Sequence, residues 1–217
     1  YVTAEAVDRH TQLIEQAESA HVEVQMVSDA VLKVMCDTET PQGILAVCQQ
    51  IHVELDDLLA TKPKLIALLA NIRDPGNAGT VLRAADAAGA DGVIFSANSV
   101  DVYNPKVVRS TTGSIFHLPV VIGADIPEAI AKLKAAGLTV LAANGGGVHL
   151  PDLEQKQLAK PTAWLLGNEA WGFEPEILEL VDQEVAVPIY GSAESLNLAT
   201  AASICLYASA FAQNVAD

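Results

Sequence analysis

The sequence predicts an α/β fold, with a mainly parallel sheet that carries helices on both faces. From residue 65 onward, short apolar runs typical of buried strands alternate with helical patterns, an order that is typical of such sheets. Hydrophobic residues make up 51% of the chain and charged residues 18%, which indicates a compact globular protein. The 217 residues can hold one α/β domain and a small accessory module.

The larger domain is expected to begin near Thr61, after the acidic and then Lys/Pro-bearing segment DDLLATKPK. Its predicted strands are LIALLA, GVIFS, LPVVI, TVLAA, AWLLG and EVAVPI. Its predicted helices cover AGTVLRAADAAG, a segment from Asn104, PEAIAKLKAAG and residues 198–211. Residues 1–60 show a separate pattern, with an opening strand, a helix over 11–20, the strand HVEVQMV, a helix over 29–34 and the strand GILAVCQQIHV. We therefore expect an accessory module over 1–60 and a second domain over 61–217.

The charge balance and the apolar patterning bear on the class of protein. With 12 Lys and Arg residues against 27 Asp and Glu, the net charge is −15, which opposes nonspecific affinity for a polyanion unless the basic residues cluster. No run approaches the roughly 18 uninterrupted apolar residues of a membrane span, and the first residues lack the pattern of a signal peptide. We expect a cytoplasmic protein with no membrane partner. Because the chain opens on Tyr1, we also expect a further segment to precede it.

The cysteines indicate neither a metal site nor a disulfide framework. Cys36, Cys48 and Cys205 form no CxxC pair and lie in apolar runs. The sequence therefore predicts buried, reduced thiols and no metal ion.

A strand-to-helix loop near Asn77 is the first of three segments that carry chemistry. The strand LIALLA leads into a turn at Pro75 and Gly76, and Asn77 is predicted as the N-cap of the next helix. The apolar residues of this helix form one stripe, made of Ala78, Val81, Leu82, Ala85 and Ala88. Arg83 lies on the other side among small side chains, which leaves room for a ligand. The alternative is a simple ion pair between Arg83 and Asp86, one turn further on.

The second and third segments are also strand ends that are followed by polar loops. In LLGNEAWGFEPEIL, a strand stops at Gly167, and glycine allows a ligand to approach the backbone closely. Asn168 could equally be a turn residue, and Glu169 a carboxylate at a helix start. In VAVPIYGSAESLNLATAASICLY, Ser195 and Asn197 precede an Ala-rich helix, and either residue could cap it.

Together these segments resemble three motifs of the SpoU family of tRNA and rRNA 2′-O-ribose methyltransferases. The pieces that carry the resemblance are NAGTVLRAADAAG, LLGNEAWGF and VPIYGSAESLNLATAASICLY, in the family's order and spacing. The resemblance covers residues 65–211, and NPKVVRSTTGSIFHLPV is similar to the family's intermediate stretch. The combination is highly specific, although each piece alone is not. Residues 1–60 resemble a truncated, ribosomal-protein-like module that binds the RNA substrate.

The resemblance implies an enzyme that transfers a methyl group from S-adenosyl-L-methionine to a ribose 2′-hydroxyl of rRNA or tRNA. It also implies a C-terminal trefoil knot, which composition cannot reveal because knots are rare, and a homodimer whose interface lies beside the cofactor sites. A pocket of backbone and small apolar groups suits adenine. Gly167, Ile189 and Leu198 match the residues that hold the cofactor in the family. The other residues expected to contact it are Leu166 and Asn168 beside Gly167, and Asn144 and Gly145 after the strand TVLAA.

Arg83 matches the arginine to which the family assigns activation of the 2′-hydroxyl. Because the pKa of arginine lies above roughly 12, we favour a role in which Arg83 grips a phosphate or the developing alkoxide, with base catalysis as the alternative. The other catalytic positions of the motifs are expected to orient the ribose and to hold Arg83; they are Asn77, Glu169, Ser195 and Asn197. The basic residues expected nearest the active face are Lys64, Arg73, Lys106, Arg109 and His117.

Two other functions compete with this interpretation. A noncatalytic RNA- or ribosome-binding protein that keeps the fold would account for the acidic charge, but the motif residues are intact. A nucleotide-linked dehydrogenase requires a GxGxxG loop that opens a helix, and NGGG at residues 144–147 lacks that pattern. The sequence does not distinguish a transfer RNA, a large-subunit ribosomal RNA or an antibiotic-resistance site on the ribosome as the target.

Overall fold

The computed structural model describes residues 1–167 and 172–215. The chain divides into two compact units, residues 1–50 and residues 51–217. The predictions for Asn168 and Glu169 lie outside the described residues.

The first unit consists mainly of three short helices, α1 (Ala4–Arg9), α2 (Thr11–Ser19) and α3 (Asp29–Met35). The Thr3 and Ser28 side chains cap α1 and α3, as short hydroxyl residues commonly do. The three strands predicted here are reduced to single bridges, in which Val2 pairs with Met26 and with Ile44. The predicted strand segments are largely exposed, so they bury too little apolar surface to support a sheet.

A six-stranded sheet organises the second unit, and every strand pair in it is parallel. The strands are β1 (Leu65–Ala70), β2 (Gly92–Ser96), β3 (Val120–Ala124), β4 (Thr139–His149), β5 (Thr162–Gly167) and β6 (Gln183–Ala186). Their order across the sheet is β3-β2-β1-β5-β4-β6. The structure confirms the predicted parallel sheet. It also places β5, which ends in the second segment, beside β4, which carries Asn144.

Helices cover both faces of the sheet, as predicted. They are α4 (Leu55–Ala60), α5 (Pro75–Ala87), α6 (Pro105–Thr111), α7 (Ile126–Ala135), α8 (Gln155–Leu158), α9 (Pro175–Leu178) and α10 (Leu198–Val215), with 3-10 turns at Ser114–Phe116 and Leu150–Asp152. Buried residues of α5, α6 and α10 share one core cluster, whereas those of α4 and α7 share the other. Central strand β1 supplies alternate residues to the two clusters, and all six are buried, which explains its continuous apolar sequence.

Helix α4 belongs to the second unit, which begins ten residues before the boundary that we placed near Thr61. Leu58 of α4 is buried in the same core cluster as Ile94 of the sheet. A Cβ atom added to Gly92 would lie 2.7 Å from a methyl group of Leu58. The segment read from sequence as the end of the accessory module therefore packs against the sheet.

Helix α10 accounts for the most apolar stretch of the chain. It has 18 residues and a mean hydropathy of 1.2, so by length and composition alone it could cross a membrane. Its polar residues interrupt the apolar run, which is why the sequence predicted no span. Ala202, Cys205 and Leu206 are fully buried in the core, and the Trp164 indole donates a 3.0 Å hydrogen bond to Ser209 Oγ. Packing on the sheet accounts for its composition.

The cysteine prediction is correct for one residue of three. Cys205 is buried on α10, and burial raises the pKa of its thiol to about 12. Cys36 is half-buried and Cys48 is exposed, because the segments that carry them pack less tightly than predicted.

Candidate functional site

The loop between β1 and α5 is held by Asp74. The Asp74 side chain accepts a 2.7 Å hydrogen bond from the backbone N–H of Asn77, and α5 begins at Pro75. The prediction that Asn77 is the N-cap is therefore wrong. Proline is favoured at the first helical position because its fixed φ and missing N–H suit it, so the cap falls on the residue before Pro75. Asn77 lies in the first turn of the helix, and its side chain is free to make another contact.

That contact joins the first and third segments. Asn197 Nδ2 donates a 3.0 Å hydrogen bond to Asn77 Oδ1. The other end of the same amide, Asn197 Oδ1, accepts from the Ala199 N–H at 2.9 Å, as a cap of α10 does. One side chain thus caps α10 and connects it to α5, against which α10 packs.

Arg83 is exposed on α5, and the apolar stripe beside it is buried as predicted. The alternative ion pair with Asp86 does not form, because Asp86 Oδ2 lies 2.8 Å from Nδ1 of His117. The pKa of Asp86 is lowered by a hydrogen bond from Ser114, which is the larger cause, and by a second hydrogen bond from His117. Among residues 1–167 and 172–215, no carboxylate lies within 4.0 Å of Arg83. Its guanidinium is therefore available to an external anion.

A cavity of about 290 Å³ opens at the carboxyl ends of β4, β5 and β6, the edge at which parallel sheets bind ligands. Of the seven predicted cofactor residues, six line it, namely Asn144, Gly145, Leu166, Gly167, Ile189 and Leu198. The seventh, Asn168, lies outside the described residues. The remaining lining is mainly apolar and small, and it consists of Ala143, Gly172, Phe173, Val185, Val187, Glu194, Ser195, Leu196 and Ala201.

Several of these lining residues were missed from the sequence. Val185 and Val187 alternate along and just beyond β6, so the period-2 pattern of a strand could have placed them together. Phe173 carried no such signal. A Cβ atom on Gly167 would lie 2.5 Å from the Phe173 ring, so this ring packs directly on the glycine where β5 ends. The small size of Gly167 serves this packing.

Strand β4 is interrupted where it reaches the cavity. Ala143 and Val148 both pair with Val185 of β6, so residues 144–147 form a bulge in the strand. Asn144 is the first residue of the bulge, and its Nδ2 donates a 2.7 Å hydrogen bond to Glu184 Oε2. The NGGG sequence is therefore a bulge at the edge of the cavity.

The predicted catalytic residues occupy three different places. Asn77 and Asn197 are hydrogen-bonded to each other, and Ser195 lines the cavity together with the predicted cofactor residues. Arg83 lies about two helical turns beyond Asn77 on α5 and is not part of the cavity lining. Glu169 is outside the described residues.

The basic residues expected near the active face are divided between the two ends of the sheet. Arg73 follows β1, and Lys106 lies in the first turn of α6, which follows β2, so both belong to connections at the carboxyl end. Lys64 immediately precedes β1 at the amino end, so its placement near the active face is wrong. His117 is engaged by Asp86.

Comparisons with known proteins agree with this geometry. Residues 64–207 match the SpoU rRNA Methylase family, and residues 1–53 match the RNA 2′-O ribose methyltransferase substrate binding family. The 23S rRNA (guanosine(2553)-2′-O)-methyltransferase RlmP of Bacillus subtilis is 40% identical over 187 residues, which are 86% of this chain and 72% of that protein. The 23S rRNA (uridine(2479)-2′-O)-methyltransferase of Streptomyces viridochromogenes is 34% identical over 85% of this chain and 66% of its own length.

Solved structures give the same result. An AdoMet-bound rRNA methyltransferase from Sinorhizobium meliloti superposes with a TM-score of 0.83 and 30% identity, covering 96% of this chain and 78% of that one. The SpoU methyltransferase AviRb from Streptomyces viridochromogenes, in complex with AdoMet, gives a TM-score of 0.78 at 30% identity, over 94% of this chain and 78% of that one.

The sheet, its carboxyl-end cavity and the two family matches define an RNA 2′-O-ribose methyltransferase. The chain belongs to the SpoU rRNA methylase family. The resemblance seen in the three segments is thereby confirmed, and the noncatalytic binding protein and the dehydrogenase are both disfavoured.

Proposed function

We propose that this protein transfers the methyl group of S-adenosylmethionine to the 2′-hydroxyl of one nucleotide in large-subunit ribosomal RNA. The observation that carries the proposal is the cavity whose lining unites six predicted cofactor residues with Ser195. The relatives RlmP of Bacillus subtilis and the Streptomyces viridochromogenes enzyme, both named as 23S rRNA 2′-O-methyltransferases, support the choice of ribosomal RNA over transfer RNA.

The cavity fits the adenosine part of the cofactor. Apolar side chains such as Leu166, Val187 and Leu198 form its walls, and they suit the flat faces of adenine. At Gly145 no heavy atom lies within 4 Å of the position that a Cβ would take, so a ligand can approach the backbone there. The bound cofactor supplies a methyl group activated by its sulfonium. The chain supplies the cavity that holds it, and main-chain N–H and C=O groups can read the polar edge of the base.

Activation of the ribose hydroxyl is assigned to Arg83. This hydroxyl is barely ionised at neutral pH, and arginine stays protonated because its pKa is above roughly 12. Arg83 therefore acts as a positive charge that stabilises the developing alkoxide or grips the neighbouring phosphate. Two observations support this role. Asp86 is engaged by His117 and not by Arg83, and Arg83 lies outside the cavity lining, so it is available to RNA.

The polar residues of the first and third segments are proposed to orient the ribose. Asn77 and Asn197 hold each other through their side-chain amides, and Ser195 lies at the cavity two residues away from Asn197. Glu169 is proposed to share this task. Displacement at a methyl carbon needs the oxygen nucleophile about 3 Å away and in line, so orientation supplies much of the acceleration.

Arginines of the second unit are proposed to contribute to RNA docking alongside the N-terminal substrate-binding module. Ten of the 12 Lys and Arg residues lie after residue 50. On α5, the face that carries Gly79 packs against α6, since a Cβ on Gly79 would lie within 3 Å of Ser110. Arg83 follows Gly79 by four residues and so lies on the same face, and Arg109 is adjacent to Ser110 in α6. Arg83 and Arg109 are exposed at the pair of helices α5 and α6. They provide positive charge there, although the net charge of the chain is negative.

The organisation of the whole protein is also proposed from family membership. Residues 1–50 serve as the module that binds the RNA substrate, and residues 51–217 form the methyltransferase domain with a C-terminal trefoil knot. The protein acts in the cytoplasm as a homodimer. The exposed Ile204 and Phe211 side chains on α10 support an interface there, which sedimentation equilibrium of the protein can test.

The proposed substrate is tested by incubating the protein with unmodified total RNA and tritiated S-adenosylmethionine, and then separating the RNA classes. We expect label in 23S rRNA, at a single nucleotide when the site is mapped. Label confined to transfer RNA would contradict the choice of substrate, and no label in any RNA would contradict the enzymatic function.

A further inference from the structure

The bulge in β4 brings a carboxylate to the edge of the cofactor cavity. Glu184 of β6 pairs in register with Ala142, and the bulge at residues 144–147 follows directly after Ala143. A Cβ on Gly147 would lie 2.3 Å from the carbonyl carbon of Glu184, so only a glycine allows the bulge to close this tightly on β6. Bulges commonly redirect a side chain next to a functional site. Here the redirected side chain is Asn144.

The Glu184 carboxylate determines the orientation of the Asn144 side-chain amide. Glu184 Oε2 accepts a 2.7 Å hydrogen bond from Asn144 Nδ2. An ionised carboxylate can only accept, so the amide must present its NH2 group to Glu184 and cannot present its oxygen. Glu184 is half-buried, and a charge-assisted bond of this length is among the stronger side-chain hydrogen bonds. The orientation of Asn144 is therefore fixed before any ligand arrives.

We propose that Glu184 is a positioning residue, which locks Asn144 so that its Oδ1 serves the cofactor cavity as a hydrogen-bond acceptor. Asn144 lines the cavity. Because one N–H of its NH2 group is directed at Glu184, Oδ1 lies on the other side of the amide, where it can accept a hydrogen bond from a ligand. Such an acceptor selects an N–H or O–H donor on the cofactor. The proposal rests on the proposed function, because it takes the ligand of this cavity to be S-adenosylmethionine.

The test is a double-mutant cycle on Glu184 and Asn144, with cofactor binding measured by calorimetry. The ligand is S-adenosylhomocysteine, the demethylated product, which is stable during titration. Glu184→Gln keeps the shape of the side chain, but its amide can pair with Asn144 in either orientation, so the lock is lost. Glu179→Gln is the matched control, because Glu179 is an exposed carboxylate beyond α9 that is absent from the cavity lining.

We expect Asn144→Ala to weaken binding about tenfold and Glu184→Gln about threefold to fivefold, as befits one hydrogen bond, with Glu179→Gln unchanged. In the Asn144→Ala background, Glu184→Gln should have no further effect, because the group that it positions is gone. A merely structural role for Glu184 would instead weaken binding equally in both backgrounds. Thermal melting of each variant confirms that it is folded.

A second ligand, 5′-methylthioadenosine, locates the donor, because it lacks the amino-acid part of the cofactor. Equal losses with both ligands support the proposal and place the donor on the adenosine half. A loss confined to S-adenosylhomocysteine supports it and places the donor on the amino-acid half. Unchanged binding of both ligands by Glu184→Gln would overturn it. If the wild type bound neither ligand, the failure would lie in the proposed function instead.

Discussion

Asn197 Nδ2 donates a hydrogen bond to Asn77 Oδ1 over 3.0 Å, across 120 residues of sequence. This bond ties the start of α10, which carries Leu198 of the cofactor cavity, to the first turn of α5, which leads to Arg83. The residues assigned to the cofactor and the arginine assigned to RNA are thereby held in one framework. The hydrogen bond between the Asn77 and Asn197 side chains gives a reason for a polar residue at each of these two strand-to-helix loops.

Substitutions at Asn197 should separate its two bonds. Asn197→Ser keeps a good N-cap but is too short to reach Asn77, whereas Asn197→Ala loses both contacts. We expect Asn197→Ala to lower the free energy of unfolding by about 0.5–2 kcal/mol, and Asn197→Ser by only a few tenths. Methyl transfer should fall by about 10- to 100-fold in both, because small displacements at a reacting centre are costly. Urea unfolding and initial rates provide the two readouts.

The variant Asn77→Ala is the matched control for that prediction. It removes the bond to Asn197 without touching the cap of α10, so its activity should resemble that of Asn197→Ser. Full activity in Asn77→Ala would show that the bond between the two amides has no part in the reaction.

Replacing Arg83 with alanine should abolish catalysis while leaving the cofactor site intact. We expect methyl transfer to fall by at least about 100-fold, the scale for removing one group that stabilises developing charge. Binding of S-adenosylhomocysteine should be nearly unchanged, because Arg83 is not in the cavity lining. Lys156→Ala, which removes an exposed positive charge on α8, should keep its activity. Equal rates in the wild type and Arg83→Ala would remove Arg83 from the mechanism.

Gly79→Ala should destabilise the contact between α5 and α6. Alanine in a helix normally gains up to about 1 kcal/mol over glycine. Here the new Cβ would lie 1.9 Å from Ser110 Oγ and 2.6 Å from the backbone oxygen of Val107. We expect the clash to dominate, with a net loss of about 1–3 kcal/mol in urea unfolding.

Two further variants check the cause of that loss. Adding Ser110→Ala should restore only part of the stability, because the contact with the Val107 oxygen persists. Gly191→Ala should change stability by less than about 0.5 kcal/mol, since nothing lies within 4 Å of the added atom. A Gly79→Ala protein as stable as the wild type would mean that the two helices separate easily.

The Asp86 cluster predicts a pH-dependent contribution to stability. The hydroxyl of Ser114 and the ring of His117 lower the pKa of Asp86 in the folded protein. A carboxyl group with a lowered folded pKa stabilises the fold above its unfolded pKa of about 3.9, and this contribution is lost as the pH falls through the lowered value. We expect Asp86→Asn to be less stable than the wild type at pH 7, and the difference to shrink below about pH 4.

Urea unfolding at neutral and acidic pH measures that difference. Asp152→Asn is the control, because Asp152 is exposed and its side chain has no hydrogen-bond partner among the described residues. A difference between wild type and Asp86→Asn that stays constant down to acidic pH would contradict the assignment.

Helices and strands could be predicted from sequence where an element is buried on both faces, or where its buried residues recur with the period of a helix. Strand β1 is buried on both faces and reads as six consecutive apolar residues, and the stripe of α5 follows the helical period. The order of the strands could not be predicted, because no local pattern states that β5 lies between β1 and β4. Residues of the first unit form single bridges and not the predicted strands, because an apolar run such as GILAVCQQIHV does not show whether its residues are buried. Val47 in this run is 82% exposed.

In the site, too, residues could be predicted from local sequence patterns, whereas contacts between distant elements could not. The predicted cofactor residues Asn144, Gly167 and Leu198 come together at one cavity, although they are far apart along the chain. By contrast, the cap at Asp74, the packing of Phe173 and the bond from Glu184 to Asn144 depend on the placement of neighbouring elements. Nothing in the sequence around Glu184 indicates that a bulge in β4 brings the amide of Asn144 to it.

Alkaline digestion of the labelled RNA tests most directly where the methyl group is attached. Alkali cleaves RNA through attack by the 2′-hydroxyl, so a 2′-O-methyl group blocks cleavage at its own nucleotide. After reaction of the wild-type protein with 23S rRNA and tritiated S-adenosylmethionine, we predict that the label appears in an alkali-resistant dinucleotide. The Arg83→Ala protein should yield none. Label released as mononucleotides would place the methyl group on a base and contradict ribose methylation.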